Sequence, residues 1–204
     1  DISKFILKIP NLEIRASLIA LLLSLDPITE PLRARQKANN MFSSLIKLDA
    51  EGFENAFGSF LAEFPYPVHL PAEAYYHSLF QAAMLLAEVK VDSEVSVGDG
   101  RLDTSFTSPD GTIFVIEIKY CPDSSSDNQI KVQDPKKNLR QKMLAKAKEA
   151  IKQIDYKNYT KAYWGEGHDI YKVSLVVGGR TEVLVEFMKE EPRLSESTDQ
   201  STDD

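Results

Sequence analysis

Three things are scarce in this chain of 204 residues. It holds one cysteine, Cys121, so no internal disulfide can form, and a reducing cytoplasm is the expected location. Beside the end of a strand, Cys121 reads as a packed small hydrophobe rather than a reactive thiol. No apolar run approaches the ~20 residues that a membrane-spanning helix needs. The longest, Ala16 to Leu25, reads as a buried helix, and no membrane partner is expected. No signal peptide is visible and the first residue is not Met, which together suggest a fragment or processed chain. Basic charge is also short, with 24 Lys and Arg against 31 Asp and Glu, a formal net charge of −7. Taken whole, that balance argues against nucleic acid; its distribution does not. Residues 190–204 hold six acids against Arg193, a net −5, so everything before them sums to −2. From Lys131 to Lys152, eight basic residues stand against Asp134 and Glu149, a net +6. Such a stripe can meet phosphates, although many are only solvated helix faces.

The stretch richest in information is Ser93 to Tyr120, which reads as three antiparallel strands joined by two tight turns. Asp99-Gly100 is a two-residue type I′ signal. It predicts Gly98 opposite Arg101, Glu94 opposite Ser105 and Ser96 opposite Asp103. The second turn, Ser108-Pro109-Asp110-Gly111, suits a type I turn with Gly111 in the left-handed position of a G1 bulge. It predicts Ser108 opposite Thr112 and Asp103 opposite Glu117. Cross-strand partners share a face. Val95, Val97, Leu102, Phe106, Phe114, Ile116 and Ile118 therefore fall on one side, and Glu94, Asp103, Glu117 and Lys119 on the other. A solvated polar face is the plain explanation. Against it, Ile113 and Val115 share that side, and acids directly opposite each other repel. A divalent, oxygen-seeking ion held by Asp103 and Glu117 would relieve the repulsion.

An Asp at the end of one strand followed by Glu-x-Lys on the next resembles the PD-(D/E)xK nuclease superfamily. Here the elements are GRLD at 100–103 and Glu117-Ile118-Lys119. The wider string YYHSLF…SE…GRLD…SPDGTIFVIEIK…AIKQIDYKNY is similar to the nuclease-like domain found C-terminal to an AAA-ATPase-like domain in many uncharacterised bacterial proteins. The resemblance covers roughly Pro71 to Val185. It implies a restriction-endonuclease-like fold of the α/β (α+β) class, with an αβββαβ core and a mixed sheet. The periodicities lead to the same order of helix, three strands, helix and strand.

Ahead of that core, residues 1–66 read as a helical linker or docking segment. Asn11 can cap a helix carrying Leu12, Leu18, Leu22 and Leu25. A second helix is predicted from about Thr29 to Leu48, and a third, with Phe53, Phe57, Phe60 and Leu61, ends before Pro65. Pro65-Tyr66-Pro67 punctuates the chain and opens the nuclease-like domain, 67–189. Pro71 suits the first turn of a helix that buries Tyr76, Leu79, Phe80, Ala83, Met84 and Ala87. Glu73, His77 and Gln81 follow at spacing four on an adjoining face. The segment from Pro122 to Pro135 reads as a mobile loop. A helix from about Lys136 to Ile154 turns Leu139, Met143, Ala147, Ala150, Ile151 and Ile154 inward. Lys142, Lys146, Glu149 and Gln153 flank that face. A last strand, Tyr171 to Val177, suits a sheet interior. Gly178-Gly179 turns it into an edge strand from Thr181 to Met188, and the acidic tail 190–204 is expected to be disordered.

The resemblance implies metal-dependent phosphodiester hydrolysis of nucleic acid, with DNA favoured over RNA, inside a larger ATPase-linked protein. Asp103, Glu117 and the Ile118 carbonyl would hold Mg²⁺ or Mn²⁺, and Lys119 would orient or deprotonate water and stabilise developing charge. Glu94 completes the candidate catalytic set, with Glu73 as the other candidate for that upstream acid. His77 and Tyr76 match a Tyr-His pair of the family. Gln153 with Tyr159 matches its Gln-Ile…Tyr segment and resembles a motif of related recombination nucleases. His77, Gln153, Tyr159, Arg101, Lys142 and Lys146 are the candidate substrate-binding residues. For His77, Gln153 and Tyr159, plain helix-surface or packing roles remain open. The alternative function is an inactive nuclease-fold module that binds nucleic acid or protein.

Overall fold

The computed structural model describes residues 31–64, 70–97, 100–123, 135–164 and 167–191. The expected first helix at Leu12–Leu25, the Pro65-Tyr66-Pro67 break, nearly all of the loop before Pro135 and most of the acidic tail lie outside them. In chain order the elements are α1 (Pro31–Ile46), α2 (Ala50–Leu61), α3 (Glu73–Leu86), β1 (Asp92–Val97), β2 (Gly100–Thr107) and β3 (Ile113–Cys121). Then come α4 (Pro135–Tyr156), a 3-10 turn (Tyr159–Tyr163), β4 (Ile170–Gly178) and β5 (Glu182–Lys189). From α3 onward this is the expected αβββαβ succession with one added edge strand. The five strands form one mixed sheet in sequence order, with β3 and β4 parallel and the other neighbours antiparallel. A parallel pair cannot be joined by a hairpin, and α4 makes the crossover.

Apolar spacing assigns each helix to a face of the sheet. One face packs under α1, α2 and α3 through Phe106, Phe114, Ile116, Ile118, Val173, Leu175, Val183 and Val185. Phe57 of α2 meets Phe80 of α3 edge to face, with ring centroids 5.8 Å apart. Each phenyl ring so buried contributes about 2–3 kcal/mol. The helices at 31–61, which the sequence set apart from the nuclease-like region, are thus built into the same apolar cluster as the sheet. Asp49 caps α2, its side chain accepting from Gly52 N at 2.9 Å. The opposite face packs under α4 and the 3-10 turn through Ile113, Val115 and Ile170 at one end and Cys121, Val176 and Leu184 at the other. Cys121 is the packed hydrophobe expected of it.

The second turn follows the sequence closely. Ser108 N donates to Thr112 O at 2.8 Å and Gly111 has φ +90°, so the bulge sets Thr107 opposite Ile113 and Thr104 opposite Ile116. Three expectations need correction. Val97 pairs with Gly100, so the two-residue connection is Gly98-Asp99 rather than Asp99-Gly100. Ser105 therefore faces Asp92 instead of Glu94, and Ser96 faces Arg101 instead of Asp103. Moving a two-residue turn by one position changes every partner by two, so no residue changes face.

Leu102 does leave its predicted face. It packs with Ile113, Val115, Ile151, Ile154 and Tyr159 beneath α4. The reason is that the β2–β3 ladder stops at Thr104 opposite Ile116. One step beyond, the carboxylate of Asp103 takes the amide of Ile118 in place of a backbone carbonyl, at 2.9 Å, and alternation along β2 breaks there. Finally, α3 begins at Glu73 with Ala72 at the N-cap, so Pro71 precedes the helix rather than lying in its first turn. Glu73 then sets a negative charge at a helix N-terminus, where the macrodipole favours it.

Candidate active site

β3 and β4 are buried along almost their whole length, as strands covered on both faces must be. Glu117 and Lys119 are therefore not part of a wet face: they are 1 % and 7 % exposed. Lys119 Nζ donates to Glu117 Oε1 at 2.8 Å, and Glu73 Oε1 lies 3.6 Å from the same ammonium. Glu73 Oε2 accepts from Tyr120 N at 3.3 Å, which ties the start of α3 to the end of β3. Asp103, half-buried, is held through Oδ2 by Ile118 N. Each of the two strand carboxylates thus has one oxygen anchored to the protein. The second oxygen of Glu117, Oε2, is buried with no hydrogen-bond partner among the described residues.

Electrostatics follow from this crowding. Burial, reinforced by the charge of Asp103, pushes the Glu117 carboxyl up to about 7, against the hydrogen bond and charge of Lys119. Burial alone would pull the Lys119 ammonium down, but Glu117, Glu73 and Asp103 outweigh it and hold the group above its ordinary value. The cluster therefore carries more negative charge than its single cation neutralises.

The remaining candidates distribute themselves around this centre. Glu94 lies in β1 between Ser93, paired with Thr104, and Val95, paired with Leu102, so its backbone runs beside Asp103. The side chains of Glu94 and Arg101 are outside the described residues. His77 belongs to α3, on the other side of the sheet. Its Nε2 lies 3.0 Å from Asp103 O, 3.2 Å from Thr104 Oγ1 and 3.1 Å from Gln81 Nε2. It thus reaches the backbone behind Asp103 and not the carboxylates. Lys142, Lys146 and Glu149 run along α4 above the end of β3. The charges of both lysines reach Cys121, while Lys146 pairs with Glu149 at 2.8 Å. The Glu149 carboxyl is held below its ordinary value by that hydrogen bond and by the charges of Lys146 and Lys119. Gln153 continues the row, half-buried. The Tyr159 ring is buried among Leu102, Ile113, Val115 and Ile151, beneath α4.

Two neighbours were passed over in the sequence reading. Glu149 appeared only as a member of a helix row, and nothing local marks its approach to Lys119. Ser174 of β4 sits directly opposite Glu117 in the parallel ladder. Its signal was legible, a lone hydroxyl in the apolar run YKVSLVV.

Two carboxylates on neighbouring antiparallel strands, with a lysine two residues after the second, thus make up the centre. The family model of the PD-(D/E)XK nuclease superfamily matches residues 71–187. The chain belongs to this superfamily. Its αβββαβ core is restriction-endonuclease-like, and family membership connects it with phosphodiester hydrolysis of nucleic acid. Neither a curated protein nor a solved structure matches it.

The donor set also fits a divalent cation. Among the described residues no three His, Cys, Asp or Glu side chains gather as a complete metal cage. Mg²⁺ does not need one: it is commonly held by one or two carboxylates, with water and substrate phosphate filling the rest. The orphaned Glu117 Oε2, with the Asp103 charge beside it, is an oxygen that lacks a positive partner.

Proposed function

We propose that this PD-(D/E)XK protein is a metal-dependent nuclease. The observation that carries the reading is the buried Lys119–Glu117 pair at 2.8 Å beside Asp103, with Glu117 Oε2 unpartnered among the described residues. Asp103, Glu117 and the Ile118 carbonyl would hold Mg²⁺ or Mn²⁺, which would lend positive charge to the scissile phosphate and make water a better nucleophile. The chain's own residues do the rest. The Ile118 amide fixes the Asp103 carboxylate, and Lys119 fixes that of Glu117. Lys119 Nζ orients the attacking water and faces the negative charge that develops on phosphate. Glu94 or Glu73 serves as a further acid at the rim; Glu73 has the described contact, 3.6 Å from Lys119. The Lys142–Lys146–Gln153 row tracks the backbone of the nucleic acid, and His77 supports Asp103 from behind.

Nucleic acid is the partner, with DNA ahead of RNA, and a cytoplasmic setting fits the single cysteine. Linkage to an AAA-ATPase-like domain in a bacterial protein rests on the resemblance of the YYHSLF…GRLD…EIK string. The test incubates purified protein with single- and double-stranded DNA and RNA in Mg²⁺, Mn²⁺ or EDTA, alongside Lys119→Ala. Cleavage that requires the ion and is lost in the variant is the expected result. A protein that binds no divalent ion at millimolar concentration and cleaves nothing would leave the inactive binding module in its place.

A further inference from the structure

Two polar side-chain atoms in the centre of the sheet lack partners among the described residues: Glu117 Oε2 and Ser174 Oγ. Ser174 is fully buried and Glu117 nearly so. They are direct neighbours in the parallel β3–β4 ladder, so their Cα atoms stand about one inter-strand spacing, ~4.8 Å, apart. They also share a face. Val173 and Leu175 point to the α1–α3 side and Val176 to the α4 side, so alternation sends Ser174 toward α4. Ile116 and Ile118 likewise point to the α1–α3 side, and Cys121 and Val115 to the α4 side, which sends Glu117 toward α4 as well. A buried hydroxyl and a buried carboxylate oxygen thus lie side by side, each without a partner among the described residues. Buried polar groups are rarely left so, and a single buried water commonly bridges such pairs.

We infer that Ser174 is a positioning residue for Glu117, donating to Glu117 Oε2 directly after a rotation of its side chain or through one buried water. Lys119 already holds Oε1. A second anchor on Oε2 fixes the plane of the carboxylate and still leaves that oxygen a lone pair to offer a cation. Glu186, on the other flank of Ser174 in the β4–β5 ladder, is the competing acceptor. It is only partly buried and bulk water can serve it, whereas Glu117 is closed off from bulk solvent. The consequence for metal binding rests on the function proposed above; the hydrogen bond itself does not.

The experiment compares wild type with Ser174→Ala, Ser174→Thr and Glu186→Gln. Ser174→Cys serves as a second hydroxyl-free variant should Ala fail to fold. In metal-free protein at one fixed alkaline pH, the Glu117 side-chain carboxyl ¹³C resonance is followed, assigned by its loss in Glu117→Gln. In parallel, Mn²⁺ is titrated calorimetrically. Ser174→Ala should move the resonance and weaken Mn²⁺ by roughly the 10–100-fold typical of losing a hydrogen-bond partner of a ligand. Ser174→Thr, which keeps the hydroxyl, should restore both, and Glu186→Gln should change neither. A resonance unmoved in the hydroxyl-free variants overturns the inference, as does a Glu186→Gln protein that reproduces both effects. If wild type binds no Mn²⁺, the metal reading of the site fails while the resonance still decides the hydrogen bond.

Discussion

Replacing Glu117 by Gln should stabilise the metal-free protein at alkaline pH and leave it unchanged in acid. Glu117 is 1 % exposed, and burial together with the Asp103 charge raises its carboxyl from 4.5 to about 7. Between those values the folded protein retains a proton that the unfolded chain has released. Folding therefore takes up a proton in this window, and stability falls as pH rises through it. Below about 4.5 both states are protonated and the effect vanishes; above about 7 the full cost applies, roughly 3 kcal/mol. Gln has nearly the same shape and keeps an oxygen for Lys119, which also retains Glu73 at 3.6 Å. The loss of one charged partner for Lys119 offsets part of the gain, so about 1–3 kcal/mol should survive at pH 8. In a chain of this size that is a rise in melting temperature of about 3–10 °C. Thermal and urea unfolding in EDTA from pH 4 to pH 8.5, for both proteins, would give the difference curve. It should climb from near zero to a plateau above pH 7. Millimolar Mg²⁺ should raise the stability of wild type at pH 8 and not that of Glu117→Gln. A difference that is flat with pH, or a Gln variant less stable than wild type at pH 8, would refute the reasoning. It would mean that the Lys119–Glu117 pair is net stabilising despite its burial.

Lys119→Ala should leave Mn²⁺ affinity nearly intact while lowering cleavage by roughly 10²–10⁴-fold: an ammonium is no ligand, and removing a charge that repels the cation offsets the lost hydrogen bond to Glu117. Asp103→Asn should weaken Mn²⁺ first and be partly rescued by excess metal, which calorimetry beside a cleavage assay would resolve. Changing Lys142 and Lys146 together to Ala should weaken nucleic-acid binding for all sequences alike and reduce the salt slope by roughly one to two units; an unchanged slope would make them solvated helix positions. Gly58→Ala should cost about 1–3 kcal/mol in urea unfolding, because a Cβ there would lie 2.8 Å from the backbone oxygen of Thr181 where α2 packs on β5. An unchanged urea midpoint would show that this approach can relax freely.

What the sequence alone determined was local. Gly111 and its neighbours admit one tight turn, so the β2–β3 register, and with it Asp103 one step beyond the last paired residues toward Glu117, could be read directly. Period-two and period-3.6 patterns likewise located each strand and helix of the core, because each buries its apolar face regardless of what lies opposite. At Gly98-Asp99-Gly100, two overlapping turns satisfy the same local chemistry, and only pairing across β1 and β2 chose between them. A shift of two preserves side-chain face, so the register error by itself moves no residue across the sheet. Tertiary structure decided the rest. Leu102 changed face because a side chain, Asp103, replaced a backbone carbonyl at Ile118. Glu73 reached Lys119 because α3 begins against the end of β3, and Tyr159 went into packing because the 3-10 turn folds under α4. Ser174 met Glu117 through a parallel pairing whose partners are 57 positions apart in the chain. No periodicity encodes that distance: a crossover sets the register of a parallel pair, and the crossover takes its length from how α4 packs.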